Sequence, residues 1–167
     1  MSDLGPIDTT APIVTTAPIV TTAPIVTTAP IVTTGPLVTT EPIDTAAFRA
    51  AVMSSSAGAL VEFCGIVRDH DRGRSIRSLD YQAHPTAQQV IEQCCAEVAE
   101  STGLRVIAAH RIGALQIGDV ALYAAVAASH RKEAFDACEE LVEKIKLRIP
   151  IWKRQYFPDG ISEWVGL

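Results

Sequence analysis

A proline recurs every six residues from Pro6 to Pro42, and this spacing constrains the chain more strongly than any other feature. The hexapeptide TTAPIV occurs four times without change between Thr9 and Val32. Proline lacks a backbone N–H and clashes with a preceding helical turn, so the repeat is incompatible with helices and central strands. We therefore expect residues 1–35 to form a disordered low-complexity tail. The alternative is a spacer or docking strip whose Ile-Val-Thr-Thr segments add to a sheet edge.

The remaining residues, 36–167, have the pattern of one folded domain. Helices are predicted after caps at Asp44 and Ser129 and after Pro85, and the strand over 59–67 is expected to be buried. Because consecutive strands often lie side by side, the order predicts an α+β fold with helices packed on a mostly antiparallel sheet. The predicted helices are 45–55, 86–102 and 130–148, and the predicted strands are 36–44, 59–67, 76–84, 104–113, 119–129, 151–157 and 161–167.

Composition and motifs exclude several classes of function. The formal net charge of −5 argues against general nucleic-acid binding. The chain has no apolar run of about 18 residues and no secretory leader pattern, so we expect a cytoplasmic protein without a membrane span. The four cysteines lack C-x-x-C spacing and paired histidines. We therefore expect reduced, mostly buried thiols, no metal site and no bound cofactor.

The stretch KLRIPIWKR, residues 146–154, surrounds Pro150 with cations and apolar residues. Proline ends the last helix here, and the chain continues as a strand. We expect Lys146 on the helix and Lys153 on the strand to converge on one pocket, with Trp152 anchored in the core at the corner. In a partly apolar pocket, desolvation and mutual repulsion lower a lysine pKa toward neutrality. Two such lysines suit proton transfer and stabilisation of an oxyanion.

Two further basic clusters are candidate anion sites. His130 and Arg131 lie at the first turn of the last helix, where cations oppose the helix dipole and free N–H groups attract anions. Arg68 lies in a polar loop, RDHDRGRS, that is rich in basic residues. Structural alternatives stay open: His130 and Arg131 pointing into solvent, and Lys146 placed only where a cation suits a helix C-terminus.

Four segments of the predicted domain resemble the large, catalytic subunit of molybdopterin synthase. They are FCGIVRDHDRG, AHRIGALQIGD, ASHRKEAFDACEELVEKIK and KLRIPIWKRQ. The similarity runs from TTEPID to EWV, and its most specific part combines Ser-His-Arg with Lys-x-x-x-Pro-x-Trp-Lys. The resemblance implies an α/β hammerhead-type fold. It also implies a homodimer that binds small ubiquitin-like subunits to form a heterotetramer. The proline repeat is not a feature of that family.

The same resemblance implies a reaction. The chain is expected to transfer sulfur from the C-terminal Gly-Gly thiocarboxylate of the small subunit to cyclic pyranopterin monophosphate, forming the dithiolene of molybdopterin. Lys146 would lie beside the thiocarboxylate carbon, and Lys153 would transfer protons at the pterin. The alternative is a non-catalytic scaffold with a phosphate pocket, which the retention of both lysines disfavours. The residues expected to bind substrate are Arg68, His130 and Arg131, with Arg154 as a further candidate.

Overall fold

The structure is a computed structural model and describes residues 35–166. The predicted tail, residues 1–35, lies outside this part of the chain except for its last residue, so its division from the domain remains a prediction. Over the described residues the chain forms three helices and ten strands. In chain order they are β1 Val38–Thr39, α1 Thr45–Val52, β2 Ala59–Ile66, β3 His70–Asp71, β4 Arg74–Ser75, β5 Ser78–Ala83, α2 Ala87–Thr102, β6 Arg105–Arg111, β7 Gly113–Gln116, β8 Val120–Ala128, α3 Arg131–Arg148, β9 Ile151–Tyr156 and β10 Ser162–Gly166.

The strands form two four-stranded sheets and one small hairpin. The first sheet has the order β1-β6-β8-β2, and the second has the order β10-β9-β5-β7. All pairs are antiparallel except β1 with β6. Helices α2 and α3 pack against each other and against the first sheet, α2 on β6 and α3 on β8 and β2. The predicted α+β class, with helices on a mostly antiparallel sheet, is confirmed.

The helix ends follow local chemistry. The Oδ1 atom of Asp44 accepts a hydrogen bond of 3.0 Å from the backbone N–H of Ala47, as its predicted capping role requires. Gly103 ends α2 in the left-handed region with φ of 72°, where a residue without Cβ is favoured. Ile149, just before Pro150, is extended and ends α3. The cap of α3 differs from the prediction, because His130 rather than Ser129 is the N-cap residue.

Four other features differ from the predictions. Strand β2 was expected to be buried, but it is the edge of the first sheet and most of its residues are partly exposed. The first strand is only two residues long, and the polar loop after β2 contains the β3–β4 hairpin. Strand β7 was not predicted: it follows β6 directly and joins the second sheet by pairing with β5. An apolar pattern shows that a strand exists, but its partner decides which sheet it joins.

Trp152 was expected in the core, but 46% of its surface is exposed. Strand β9 alternates, with Ile151 and Gln155 buried and Trp152 pointing to the other face of the second sheet. Trp164 on β10 is also exposed, at 51%. This face of the second sheet therefore presents aromatic surface. Among the described helices, none is long and apolar enough to cross a membrane.

Candidate active site

The turn from α3 into β9 sets the positions of the two lysines. Lys146 lies in the last turn of α3, and Lys153 lies in the middle of β9. Pro150 separates the two elements, as the sequence predicts. The lysines line different cavities, each of about 140 Å³. The single pocket predicted from the sequence is therefore two cavities, called here the Lys146 cavity and the Lys153 cavity.

The Lys146 cavity is mainly apolar. The side chain of Lys146 is exposed, and its Nζ lies 6.0 Å from the centroid of the Phe63 ring, a cation–π distance. Phe63 comes from β2, which is an edge strand of the first sheet over residues 35–166, so the cavity opens at this edge. A cation beside an apolar wall can stabilise negative charge that develops on a ligand. The wall residues include Phe63, Ile66, Leu122, Ile145 and Ile149.

The Lys153 cavity is lined by charged and polar groups. Arg68 and Lys153 both line it, so the structure brings these two predicted site residues together. Asp71 contacts a cation and a side-chain amide. Its Oδ1 is 3.6 Å from Nη2 of Arg68, and its Oδ2 accepts a 2.8 Å hydrogen bond from Nε2 of Gln155. Gln155 is buried, so this bond fixes the β3–β4 hairpin to β9. The cavity therefore holds two cations with one carboxylate anchored beside them.

Lys153 is the lysine whose surroundings favour its neutral form. Burial lowers its pKa, the negative charge of Asp71 opposes that change, and the positive charges of Arg68 and Arg72 add to it. The predicted direction of the pKa shift is therefore found for Lys153. The repelling charges belong to the arginines of the hairpin region rather than to Lys146. Near neutral pH, a lysine with a lowered pKa is in the neutral form more often than a solvated lysine, so it is more often able to accept a proton.

The two cavities share a wall. Ile66 and Tyr81 line both of them. Tyr81 on β5 lies directly opposite Lys153 on β9 in the antiparallel register, which puts their side chains on the same face of the second sheet. One ligand that spans this wall would meet Lys146 at one end and Lys153 with Arg68 at the other. The arrangement can hold an anionic group, transfer a proton and stabilise a developing oxyanion.

His130 and Arg131 lie far from both lysines within one chain. They occupy the N-terminal end of α3, whereas Lys146 occupies its C-terminal end. At 1.5 Å per residue, about 22 Å of helix separates Arg131 from Lys146. Both side chains are exposed. The structure therefore does not bring this predicted pair to the cavities of its own chain.

Arg154 points away from Lys153. Its Nε and Nη2 donate hydrogen bonds to Oγ of Ser162 at 3.1 and 2.8 Å. Its guanidinium also lies 5.6 Å from the ring of Trp164. These contacts are on the aromatic face of the second sheet, opposite the Lys153 cavity. The assignment of Arg154 to substrate binding remains a prediction that this geometry does not support.

Four polar residues that line the two cavities were not predicted as site residues from the sequence: Tyr81, His110, Asp71 and Gln155. His110 and Gln155 are buried polar residues. His110 follows the apolar run 106–109 of β6, and that interruption is a signal that could have identified it, since a buried polar side chain requires a partner or a ligand. Gln155 gives no such signal, because it follows the charged residues Lys153 and Arg154 in β9. Tyr81 gives no such signal, because its place depends on the pairing of β5 with β9.

The cysteines take no part in the cavities. All four are free thiols; Cys94, Cys95 and Cys138 are buried, and Cys64 is exposed. Burial raises the pKa of Cys95 to about 12 and of Cys138 to about 11, so both thiols are protonated at neutral pH. Over residues 35–166, no group of three or more His, Cys, Asp or Glu side chains is arranged to hold a metal ion.

Comparison with known proteins gives a family match and several similar proteins for this chain. The model of the family described as MoaE protein matches residues 38–148. Molybdopterin synthase catalytic subunit 1 of Mycobacterium tuberculosis is 43% identical over 122 residues, covering 70% of this chain and 80% of that protein. The crystal structure of molybdopterin synthase from Staphylococcus aureus is 39% identical and matches with a TM-score of 0.73 over 78% of this chain and 96% of that one.

A third likeness concerns the fold alone. A protein–protein complex of subunits 1 and 2 of molybdopterin-converting factor from Helicobacter pylori matches with a TM-score of 0.62 at 22% identity. The match covers 77% of this chain and 87% of that one.

Proposed function

The chain belongs to the MoaE protein family, whose relatives are named molybdopterin synthase catalytic subunits. From this premise we propose that it transfers sulfur from the C-terminal thiocarboxylate of a small ubiquitin-like subunit to cyclic pyranopterin monophosphate. The product is the dithiolene of molybdopterin. The observation that carries the proposal is the pair of adjoining cavities, one apolar with Lys146 and one polar with Lys153 and Arg68.

Lys146 acts on the sulfur donor. The Lys146 cavity is largely apolar, and its opening at the edge of the first sheet suits the entry of a thin peptide end such as Gly-Gly. In each transfer, the thiocarboxylate sulfur bonds to a substrate carbon and a C–O bond at that carbon breaks, so that the oxygen leaves as water or stays on the phosphate. The acyl–sulfur bond then breaks as water takes the acyl group, which leaves the sulfur on the substrate and a carboxylate on the small subunit. The acyl carbon passes through an oxyanion, which the Lys146 ammonium stabilises. The alternative for this step is attack on the acyl carbon by the Lys146 amine in place of water.

Lys153 and Arg68 act on the pyranopterin. The arginine fork suits a phosphate, which it can contact through two N–H groups at once. The lowered pKa of Lys153 suits proton transfer at the carbon that receives sulfur. Tyr81 and Ile66, in the wall between the cavities, would contact the middle of the pyranopterin, whose phosphate end lies by Lys153 and Arg68 and whose other end extends into the Lys146 cavity.

The positions of His130 and Arg131 support an active site made by two chains. A small substrate cannot span about 22 Å of helix, so these residues reach it only from a second copy of the chain. The expected homodimer supplies that copy by two-fold symmetry. In this arrangement, the exposed N-terminal turn of one α3 faces the Lys153 cavity of the partner subunit.

The sulfur donor is proposed to be a separate chain. The name catalytic subunit, carried by the relatives, implies a further subunit. The Helicobacter pylori neighbour was solved as a complex of two subunits. We propose a heterotetramer of two copies of this chain and two small subunits, located in the cytoplasm.

Reconstitution tests the proposal. Purified chain is mixed with cyclic pyranopterin monophosphate and a thiocarboxylated small subunit, and dithiolene product is measured. A small subunit that ends in an ordinary carboxylate is the matched control, since it binds but carries no sulfur to transfer. We expect product only with the thiocarboxylate. A folded complex that binds both partners and forms no product would favour the scaffold alternative.

A further inference from the structure

His110 is a buried histidine in an otherwise apolar strand. It lies in β6, only 4% of its surface is exposed, and its neighbours Ala108 and Ala109 are buried too. Its Nδ1 lies 2.8 Å from the backbone carbonyl oxygen of Arg111. A carbonyl oxygen can only accept, so Nδ1 carries the proton. Burial lowers the pKa of His110 to about 4, so at neutral pH the ring holds no second proton. Nε2 is therefore a bare hydrogen-bond acceptor.

The ring of His110 lines the Lys146 cavity. Its orientation is fixed twice, by the Nδ1 bond and by an edge-on contact with Tyr81 at 5.1 Å between ring centroids. Within the described part of the chain, every fully buried side-chain nitrogen or oxygen has a hydrogen-bond partner. The structure gives Nε2 no such partner among those residues, so this atom reaches accessible space, and the cavity is the space that the ring borders.

We propose that His110 is a substrate-positioning residue, whose Nε2 accepts a hydrogen bond from an N–H or O–H group of the pyranopterin. The inference rests on the proposed function and extends it to a residue on β6. The other walls of the Lys146 cavity are mainly apolar, including Phe63, Leu122 and Ile145. A single fixed acceptor in such a wall selects one orientation of a ligand that is rich in N–H groups. Because the ring is neutral, it does so without repelling the Lys146 ammonium.

Two substitutions distinguish the role of Nδ1 of His110 from that of Nε2. His110→Asn retains a short side chain with an N–H donor for the Arg111 carbonyl and lacks the acceptor at Nε2. His110→Gln reaches further and restores an acceptor oxygen. Calorimetry of cyclic pyranopterin monophosphate with the protein, without the small subunit, measures Kd, and the reconstituted reaction measures KM and kcat. We expect His110→Asn to raise Kd and KM about tenfold with kcat largely retained, and His110→Gln to recover part of the loss.

Tyr123→Phe is the control for a purely structural effect. It removes the 2.6 Å hydrogen bond from the Tyr123 hydroxyl to Glu62, in the same sheet and outside the Lys146 cavity. We expect a lower melting temperature with unchanged Kd and KM. The proposal is overturned if His110→Asn behaves like this control. It is also overturned if kcat falls while Kd and KM stay constant, because the acceptor would then serve Lys146.

The wild-type protein provides a test that does not depend on folding of the variants. Nitrogen NMR of histidine-labelled protein should show the Nε2 signal of His110 moving when the pyranopterin is added. An unchanged signal at saturation would overturn the proposal. Failure of the proposed function is distinguishable: the wild type would then bind the pyranopterin and give no dithiolene, and the Kd comparison would still decide the role of His110.

Discussion

The two cavities at the turn from α3 into β9 have similar volumes and a common wall, but their lysines have opposite surroundings. Lys146 is exposed beside Phe63 in an apolar cavity at a sheet edge. Lys153 is half-buried among Arg68, Arg72 and Asp71. Residue type alone would give both lysines one role. In the proposed reaction, this difference assigns charge stabilisation to Lys146 and proton exchange to Lys153.

The largest expected effect tests whether Lys146 is indispensable. Lys146→Ala should lower the rate of dithiolene formation by about a thousandfold or more, because Lys146 is the only lysine or arginine among the described residues that line this cavity. Single-turnover assays of the reconstituted enzyme measure it. Lys144→Ala is the matched control on the same helix: Lys144 pairs with Glu97 at 3.2 Å and with Glu140 at 3.4 Å, away from both cavities. Similar activity in both variants would contradict the assignment.

The second prediction concerns Arg131, the cation that the second subunit is proposed to add to the Lys153 cavity. Arg131→Ala should lower activity about a hundredfold by removing a phosphate contact supplied by the second subunit. Mixing Lys146→Ala chains with Arg131→Ala chains should then restore about a quarter of the wild-type rate, because half of the dimers are mixed and each has one intact site. The control is a chain that carries both substitutions, because its dimers contain no intact site. An absence of restoration would mean that both residues serve the same chain's site.

The third prediction sharpens the difference between the lysines through pH. If neutral Lys153 is the base, kcat rises with pH through its pKa, which burial has lowered. Arg72 lowers this pKa, so Arg72→Asn should move the rising limb to higher pH. Asparagine suits the positive φ of 47° at this position. Asp71 raises the pKa, so Asp71→Asn should move the limb to lower pH. Shifts of about half a pH unit are expected, and shifts of the same sign in both variants would refute the assignment.

The smallest effect is expected from the proline repeat. Deletion of residues 1–35 should leave kcat, KM and the melting temperature unchanged, because the packed part of the domain begins at Leu37. Leu37 is fully buried and its N–H donates to Gln88 at 2.9 Å. Deletion through Leu37 is the contrasting variant and should lower the melting temperature. A loss of turnover in the shorter deletion would give the repeat a role in catalysis.

Local chemistry determined what could be predicted from the sequence. Asp44, Gly103 and Pro150 act within a few residues of themselves, so the helix ends they predict are observed. The positions of Lys146 and Lys153 on either side of Pro150 follow from the same kind of reasoning.

The composition of each cavity required information from distant parts of the chain. Tyr81 lies beside Lys153 because of the β5–β9 register. Strand β7 joins the second sheet by pairing with the side of β5 that β9 does not occupy. The error at Trp152 has a related cause, since an apolar residue on a strand shows that a face is apolar but not whether that face is buried within the chain.

The length of α3, in the proposed two-chain site, would link the output of the enzyme to its own abundance. If each site takes one end of α3 from each of two chains, an isolated chain has no complete site. At concentrations below the dimer dissociation constant, the number of working sites grows with the square of the chain concentration. Halving the supply of a scarce chain would then cut dithiolene synthesis about fourfold. Dithiolene synthesis would then respond to the supply of this polypeptide more steeply than in proportion.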